Sequence, residues 1–320
     1  MRKISALLVT AGLAATLTGC ATDPGYPTCG QYESGDASSI IDVSENFGAA
    51  PTVDFPTPIV PHNTEVTQVV QGDGDRISAG QPARIELSIF NGATGDELQS
   101  TEFDGNGILT MAGESRLPSV GKALECATVG SRIVVAATPK DAHNGAAIAE
   151  LNVAADDSFI FVVDVLDAYL AKADGAPQSP NPGDPIVVTA PNGTPGITIP
   201  KSGASTVDPP EDLIVSTLQR GEGEEIEADS FAVLHYTGVL WDTNKVFDST
   251  WTESEAAVFQ LTENSVVKGF LDGLVGQKVG SQVLIVVPPE LGYGDQGNGA
   301  VPPGATLVFV VDILGQITQD

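Results

Sequence analysis

The chain repeats itself at a separation of about 150 residues, and this repeat limits the folds that are open to it. Three blocks of the first half return in the same order in the second half. VVQGDGDRI (69–77) returns as TLQRGEGEEI (217–226), TVGSRIVVAATP (128–139) as KVGSQVLIVVPP (278–289), and FIFVVDVLDA (159–168) as LVFVVDILGQ (307–316). Ordered blocks at a nearly constant offset indicate one fold present twice.

Each copy alternates β-branched apolar runs with turns and contains one short amphipathic segment. In the second copy this segment is residues 265–280, where Val266, Phe270 and Leu274 have helical spacing. A content of 35 Gly and 22 Pro also favours strands and turns over long helices. The sequence therefore predicts an α+β fold class, in which each of two domains is an antiparallel sheet wrapped around one short helix.

The N-terminus has the pattern of an export signal. Arg2 and Lys3 precede a short apolar stretch that ends in LTGC (17–20). This ending resembles the lipobox of bacterial lipoproteins, which implies cleavage after residue 19 and a diacylated Cys20. The alternative is ordinary signal cleavage with an incidental cysteine. Two or more acyl chains give stable anchoring, so we expect an exported protein held at the outer face of the cell membrane.

Composition sets the remaining boundaries. Small polar residues predict a flexible tether over 20–50, and a stretch rich in Pro, Gly, Ser and Thr predicts a linker over 171–208. The two copies of the repeat then occupy 51–170 and 209–320.

The charge excludes several classes of partner. Loss of Arg2 and Lys3 with the signal leaves 12 basic against 42 acidic residues, a net charge of −30. Such a chain repels nucleic acid and anionic lipid headgroups, so we expect membrane contact through the lipid alone. Two cysteines remain, Cys29 and Cys126; an exported chain is oxidised, which favours a disulfide between them, with two free thiols as the alternative.

No cofactor is expected. His62, His143 and His235 are far apart in the sequence, and no metal-binding motif accompanies them. The stretch LGYGDQGNGAVPP (291–303) contains G-x-G-x-x-G, but prolines and a strand follow it where a phosphate-binding loop needs a helix. We interpret it as a flap between two strands that carries Tyr293.

Three segments of the second copy together resemble the FKBP-type peptidyl-prolyl cis-trans isomerases. They are AVLHYTGVLWDTNKVFDSTW (232–251), FQLTENSVVKGFLDGLVGQKVGSQVLIVVPPELGYG (259–294) and VPPGATLVFVVDIL (301–314). The resemblance implies a shallow apolar pocket for the proline of an Xaa-Pro bond. The matching pocket positions are Tyr236, Phe247, Asp248, Val266, Val267, Phe270, Tyr293, Val301 and Phe309.

The resemblance also implies roles for these positions. Phe270 forms the floor, Tyr293 donates its hydroxyl to the carbonyl before proline, and the backbone N–H of Val267 bonds a substrate carbonyl. The chain departs from the family pattern in three ways. Phe270 replaces the Trp of the best-known members, Ala257 replaces a further aromatic residue, and the flap is one residue short. Trp251 is a candidate to lean over the rim.

The first copy lacks most of these side chains. At the repeat offset Tyr236 corresponds to Leu87 (or, with a gap, Phe90) and Phe247-Asp248 to Leu98-Gln99. The same offset relates Phe270 to Val120 and Tyr293 to His143, while Phe161 matches Phe309. We therefore expect a first domain without isomerase activity; the alternative is a pocket rebuilt around His143.

Two functions follow from the resemblance. The first is an isomerase for Xaa-Pro bonds of exported proteins, with Pro-containing segments of unfolded or secreted chains as partners and macrolide inhibitors as candidate ligands. The alternative is a chaperone or adhesion module that binds such segments without catalysis.

Overall fold

The computed structural model describes residues 33–125, 127–202, 205–253 and 255–317. The chain begins there with helix α1 (Asp36–Ser39) and a short hairpin of β1 (Asp42–Val43) and β2 (Val53–Asp54). The strands of the first sheet are β3 (Glu65–Val70), β4 (Pro82–Asn91), β5 (Glu97–Ser100), β6 (Ile108–Met111), β7 (Arg132–Ala137) and β8 (Phe159–Ala168). Its helices are α2 (Pro118–Leu124) and α3 (Pro139–His143).

Short strands join the two sheets. They are β9 (Ala176–Pro177), β10 (Ile186–Thr189), β11 (Pro195–Thr198), β12 (Lys201–Ser202) and β13 (Ser205–Thr206). The second sheet contains β14 (Ile214–Arg220), β15 (Phe231–Leu240), β16 (Val246–Ser249), β17 (Ala257–Gln260), β18 (Gln282–Val287) and β19 (Leu307–Ile317). Helix α4 (Lys268–Leu274) packs against β18. The predicted α+β class, two antiparallel sheets each with a short helix, is confirmed.

The two sheets have the same topology. The first has the order β3-β7-β8-β4-β5, with β6 also on β4; the second has β14-β18-β19-β15-β16, with β17 on β15 and β9 added at the β14 edge. Even the irregularities repeat. The register of β4 against β8 shifts between Arg84 and Ile85, and that of β15 against β19 shifts between Val233 and Leu234, 149 positions later. The repeat read from the sequence is therefore a repeat of backbone geometry, β-bulges included.

The central strands are buried on both faces, which explains their unbroken apolar runs. The inner face of each sheet packs on its helix and on the core. The outer face is covered by the chain segment that precedes the domain. Ile41 and Val43 cover Val134 and Ile160 of the first sheet, and Ile197 and Ile199 cover the second sheet.

This packing differs from the predicted tether and linker. Residues 36–50 lie in the predicted tether and 195–199 in the predicted linker, yet both segments pack as parts of the adjoining domain. Small and polar residues predicted flexibility, but a few Ile and Val side chains are enough to dock each segment on an apolar sheet face.

A buried polar pair lies on the same two strands of each sheet and bonds the backbone of a neighbouring chain segment. In the first, Arg132 and Asp164 form a fully buried, bidentate ion pair; Arg132 also donates to the carbonyls of Ser44 and Ala49 at 2.7 Å. In the second, Gln282 Nε2 donates to Asp312 at 2.7 Å, and Asp312 accepts the backbone N–H of Ala173 at 2.8 Å. Burial raises the pKa of Asp312 above its usual range, while its two hydrogen bonds oppose the shift.

The two domains touch each other. The ring of Tyr169 lies on Gly315, and the N–H of Leu170 donates to the carbonyl of Leu314 at 3.2 Å. Burial raises the pKa of Tyr169 to about 12, and nearby Asp167 adds to the shift. Among the described residues no helix is both long and apolar enough to cross a bilayer; the longest have seven residues.

Candidate functional site

Strand β15 sets the position of the site because its side chains alternate between the two faces of the sheet. Tyr236 points to the inner face and packs with the core, whereas His235 points to the outer face and stacks on Trp251 with ring centroids 4.1 Å apart. Gly238 follows on the inner face. A Cβ there would lie 2.5 Å from the ring of Phe247, so glycine lets the tip of this ring approach the strand closely.

Six aromatic rings line a shallow hollow on this face, and five of them pack on one another. Phe270 lies edge-to-face on Phe309 at 5.1 Å and on Tyr236 at 6.2 Å. Phe247 meets Phe309 at 5.6 Å, and Phe259 meets Tyr236 at 5.7 Å. Tilted and edge-to-face pairs at these distances are favourable and rigid. The rings therefore form preorganised apolar walls.

The hollow has a volume of about 130 Å³. Its walls come from strands β15, β16, β17 and β19, helix α4 and the segments before and after the helix: Tyr236, Phe247, Asp248, Phe259, Ser265, Val266, Val267, Phe270, Tyr293 and Phe309. Larger clefts of about 670, 520 and 750 Å³ share none of these residues. Aromatic lining, not size, sets the hollow apart.

One polar pair sits in the apolar wall. The hydroxyl of Tyr236 donates a hydrogen bond to the carboxylate of Asp248. Burial, the bond to Asp248 and its charge raise the pKa of Tyr236 well above the usual value. The phenol therefore stays protonated at physiological pH, and the pair presents a fixed dipole beside the hollow.

Two donors at the rim have no partner among the described residues. The first is the backbone N–H of Val267. This residue is the N-cap of α4 and has an extended conformation, and its carbonyl accepts the N–H of Phe270 at 3.0 Å. The second is the hydroxyl of Tyr293 in the flap. The flap is pinned by the N–H of Gly304 on the carbonyl of Gly294 at 2.9 Å. Both donors are therefore free to bond a ligand.

The structure brings together eight of the nine predicted pocket residues. The exception is Val301, which we expected to close a wall. It lies beneath the flap, 5% exposed, bonded through its backbone to Asn298, and does not line the hollow. The apolar flap segment turns inward at this residue to join the core.

Sequence reasoning missed Phe259 as a lining residue and took Ala257 to leave a wall thin. Both lie on the same face of β17, and the ring of Phe259 lies 6.0 Å from that of Phe270. The strand period of two was the available signal, since it places residues 257 and 259 side by side.

Trp251 was expected to lean over the rim. It lies instead on the other side of the sheet, on His235, because the turn Thr250–Thr252 carries it there. Cys20, Cys29 and Cys126 lie outside the described residues, so lipidation and the disulfide stay predictions. Within the described ranges no cluster of His, Cys, Asp and Glu has the arrangement of a metal site.

A family model described as FKBP-type peptidyl-prolyl cis-trans isomerase matches residues 222–314. The chain is 38% identical over 105 residues to a probable FK506-binding protein of Corynebacterium glutamicum, covering 33% of this chain and 87% of that one. The chain belongs to this family. It is also 36% identical over 109 residues to an FK506-binding protein of Streptomyces anulatus, covering 33% and 88%.

A third relative is longer. The FKBP-type peptidyl-prolyl cis-trans isomerase FkpA of Escherichia coli K12 is 37% identical over 102 residues, which cover 32% of this chain and 37% of that one. The predicted resemblance is confirmed, and the FKBP domain is the second copy. The protein is a peptidyl-prolyl cis-trans isomerase, and the non-catalytic alternative is not favoured.

Proposed function

We propose that the aromatic hollow of residues 209–320 binds the proline of Xaa-Pro segments in exported proteins and stabilises the twisted imide. One observation carries this proposal: six aromatic rings line the hollow, and two unpartnered donors stand at its rim. An apolar seat for a ring, bordered by donors for the flanking carbonyls, fits an Xaa-Pro segment.

The chemistry needs no covalent step. Rotation about the imide is slow because it breaks amide resonance, at a barrier of about 18–20 kcal/mol. The planar imide is more dipolar than the twisted one, so water stabilises the ground state. Transfer into an apolar hollow removes that advantage and favours the twisted form. A 10⁴-fold acceleration requires only about 5.5 kcal/mol of such preference.

The polar groups complete the site. Tyr293 donates its hydroxyl to the carbonyl that precedes proline, and the N–H of Val267 holds a second substrate carbonyl in register. The fixed dipole of Tyr236 and Asp248 lies beside the proline ring. Phe270 supplies the floor on which the ring rests. A macrolide inhibitor of the family would compete for the same hollow.

The measurement is the rate of cis/trans exchange of an Xaa-Pro peptide with the mature chain. We expect Tyr293→Phe to lower kcat/KM about tenfold, the cost of one hydrogen bond in the transition state. Its hydroxyl has no partner among the described residues, so the melting temperature should not change. Tyr169→Phe removes a hydroxyl far from the hollow and is the matched control. Equal activities for the two variants would contradict the assignment of Tyr293.

We also propose that the protein is exported and anchored at the outer face of the membrane by a lipid on Cys20. The basic start, the short apolar stretch and LTGC support this. In the native host, Cys20→Ser should move the protein from the membrane to the soluble fraction and abolish incorporation of labelled fatty acid. Cys29→Ser is the control and should stay membrane-bound. Labelling that survives Cys20→Ser would refute the lipid site.

A further inference from the structure

The loop between β16 and β17 contacts three other parts of the molecule: the second sheet, the first domain and the segment that joins the domains. Its described residues are 250–253, 255 and 256, and it joins the strand that carries Phe247 and Asp248 to the strand that carries Phe259. Both strands wall the hollow. The loop therefore directly connects two walls of the hollow.

The first contact is with the second sheet, which carries the hollow. The hydroxyl of Thr250 accepts the backbone N–H of Tyr236 at 2.9 Å and hydrogen-bonds to Nδ1 of His235 at 2.9 Å. Trp251, the next residue, stacks on the His235 ring. The start of the loop is thus tied to the residue whose hydroxyl bonds Asp248.

The second contact is a pair of ionic interactions with the first domain. Arg116 Nε lies 2.9 Å from a carboxylate oxygen of Glu255, and Arg116 Nη2 lies 3.8 Å from one of Glu253. At the repeat offset Arg116 holds the place of Val266, a rim residue of the catalytic hollow. The first domain therefore contacts this loop through the position that corresponds to the rim of the catalytic hollow.

The third contact is with the segment that joins the domains. The turn between β10 and β11 places Gly193, with φ of +103°, on Trp251, and a Cβ at this glycine would lie 2.4 Å from the indole ring. The same turn is held by Lys172, whose ammonium donates to the carbonyl of Pro191. Only glycine allows both this backbone conformation and this close approach.

We propose that the first domain and the joining segment position the isomerase hollow through the β16–β17 loop, with Arg116 and Gly193 as positioning residues. This inference rests on the proposed function of the hollow. The first domain lacks the matching ring-binding side chains and acts as a brace for the second. The charges that carry the contact come from opposite domains, so the brace acts only in the full chain.

The first test is Arg116→Gln in the mature chain. The Arg116 side chain is 77% exposed, so the melting temperature should not change, while kcat/KM falls about two- to fivefold, the range of such an ion pair. Lys140→Gln removes the same charge from an exposed site of the first domain and should leave kcat/KM unchanged. The double variant Arg116→Glu with Glu255→Arg should restore activity toward wild type. High salt should slow the wild type more than Arg116→Gln.

The second test is Gly193→Ala, which places a methyl group against Trp251 and should also lower kcat/KM two- to fivefold. Gly196→Ala is the matched control in the same hairpin, because its Cβ would meet only ordinary contacts, the nearest at 3.5 Å.

The outcomes separate the two proposals. An inactive but folded wild type would overturn the proposed function. An active wild type whose Arg116→Gln and Gly193→Ala variants match their controls would overturn only the brace. Failure of the charge-swapped pair to recover activity would also overturn it, since the loss would then not come from the ion pair.

Discussion

The two domains share strand order, register shifts and helix position, but they differ in the side chains at the positions that form the aromatic hollow of the second. Tyr236, Asp248 and Phe270 are matched in the first domain by Leu87, Gln99 and Val120. The two domains also differ at the position of Gly238. This glycine lets the ring of Phe247 approach strand β15, whereas Ile89 occupies the corresponding position of β4 in the first domain. A fold can thus be kept by its apolar core while the binding surface is filled with aliphatic side chains.

The polar pairs behind the sheets differ in a second way. Both copies have a buried side-chain pair on the same two strands. In the first copy it bonds the docked segment at Ser44 and Ala49, and in the second it bonds the backbone of Ala173. The first uses a buried charge pair, and the second uses an amide and a carboxylate. The two pairs at the same backbone positions should therefore contribute differently to the stability of their domains, and substitutions can measure the difference.

The largest expected effect is the loss of Arg132. Arg132→Ala leaves Asp164 charged and buried without its partner, so we expect the first domain to lose about 3–5 kcal/mol of stability. Gln282→Ala, its counterpart, removes a hydrogen bond and should cost about 1–3 kcal/mol in the second domain. Calorimetry of the full chain, with and without each substitution, measures both. Equal losses would show that the two pairs are energetically equivalent.

The next effect is on stability at acid pH, and it depends on one residue that differs between the two domains. Burial lowers the pKa of His235 to about 4, from an unfolded value near 6.5; the equivalent residue in the first domain is Glu86. The unfolded state binds the proton first, so this stability is complete above pH 6.5 and is lost as the pH falls to 4. The loss is about 3 kcal/mol.

Denaturant unfolding at pH 7.5, 5 and 4 tests this prediction. Both tryptophans, Trp241 and Trp251, belong to the second domain, so indole fluorescence reports the unfolding of that domain. His235→Gln should remove most of the pH dependence between 6.5 and 4. An unchanged slope in this variant would show that other groups cause the acid sensitivity.

The third effect is on catalysis. Phe270→Ala removes the floor of the hollow and should lower kcat/KM at least about a hundredfold, a loss of roughly 2.7 kcal/mol. Phe270→Trp restores an aromatic floor and should retain most of the activity. A hundredfold loss in both variants would indicate that packing around α4, not the floor, controls the rate.

The smallest effect is an expected contrast between matched positions. Phe247→Ala opens one wall of the hollow and should lower kcat/KM about tenfold, whereas Leu98→Ala at the same place in the first domain should change it less than twofold. Peptide exchange kinetics of the full chain provide the comparison. A similar loss for Leu98→Ala would mean that the first domain binds substrate after all.

The local pattern of the sequence was enough to predict much of this molecule. Strands, turns and the short helices follow from alternation and spacing within a few residues, and the repeat follows from identity at a constant offset. Eight of the nine proposed pocket residues line the hollow because the family motifs place them on strands and a helix of known order. These features depend on neighbours in sequence.

Other features depend on partners far away in the chain. The sequence could not show that residues 36–50 and 195–199 would cover the outer sheet faces, that Phe259 would replace the missing ring, or that Trp251 would lie between His235 and Gly193. Each of these outcomes is a competition among apolar surfaces for burial, and only the complete packing decides it. The periodicity and the internal repeat of the chain determined two antiparallel sheets of one topology, and the motifs of the second copy determined its resemblance to the FKBP family. Tertiary contact between the two domains decided what surrounds the isomerase hollow.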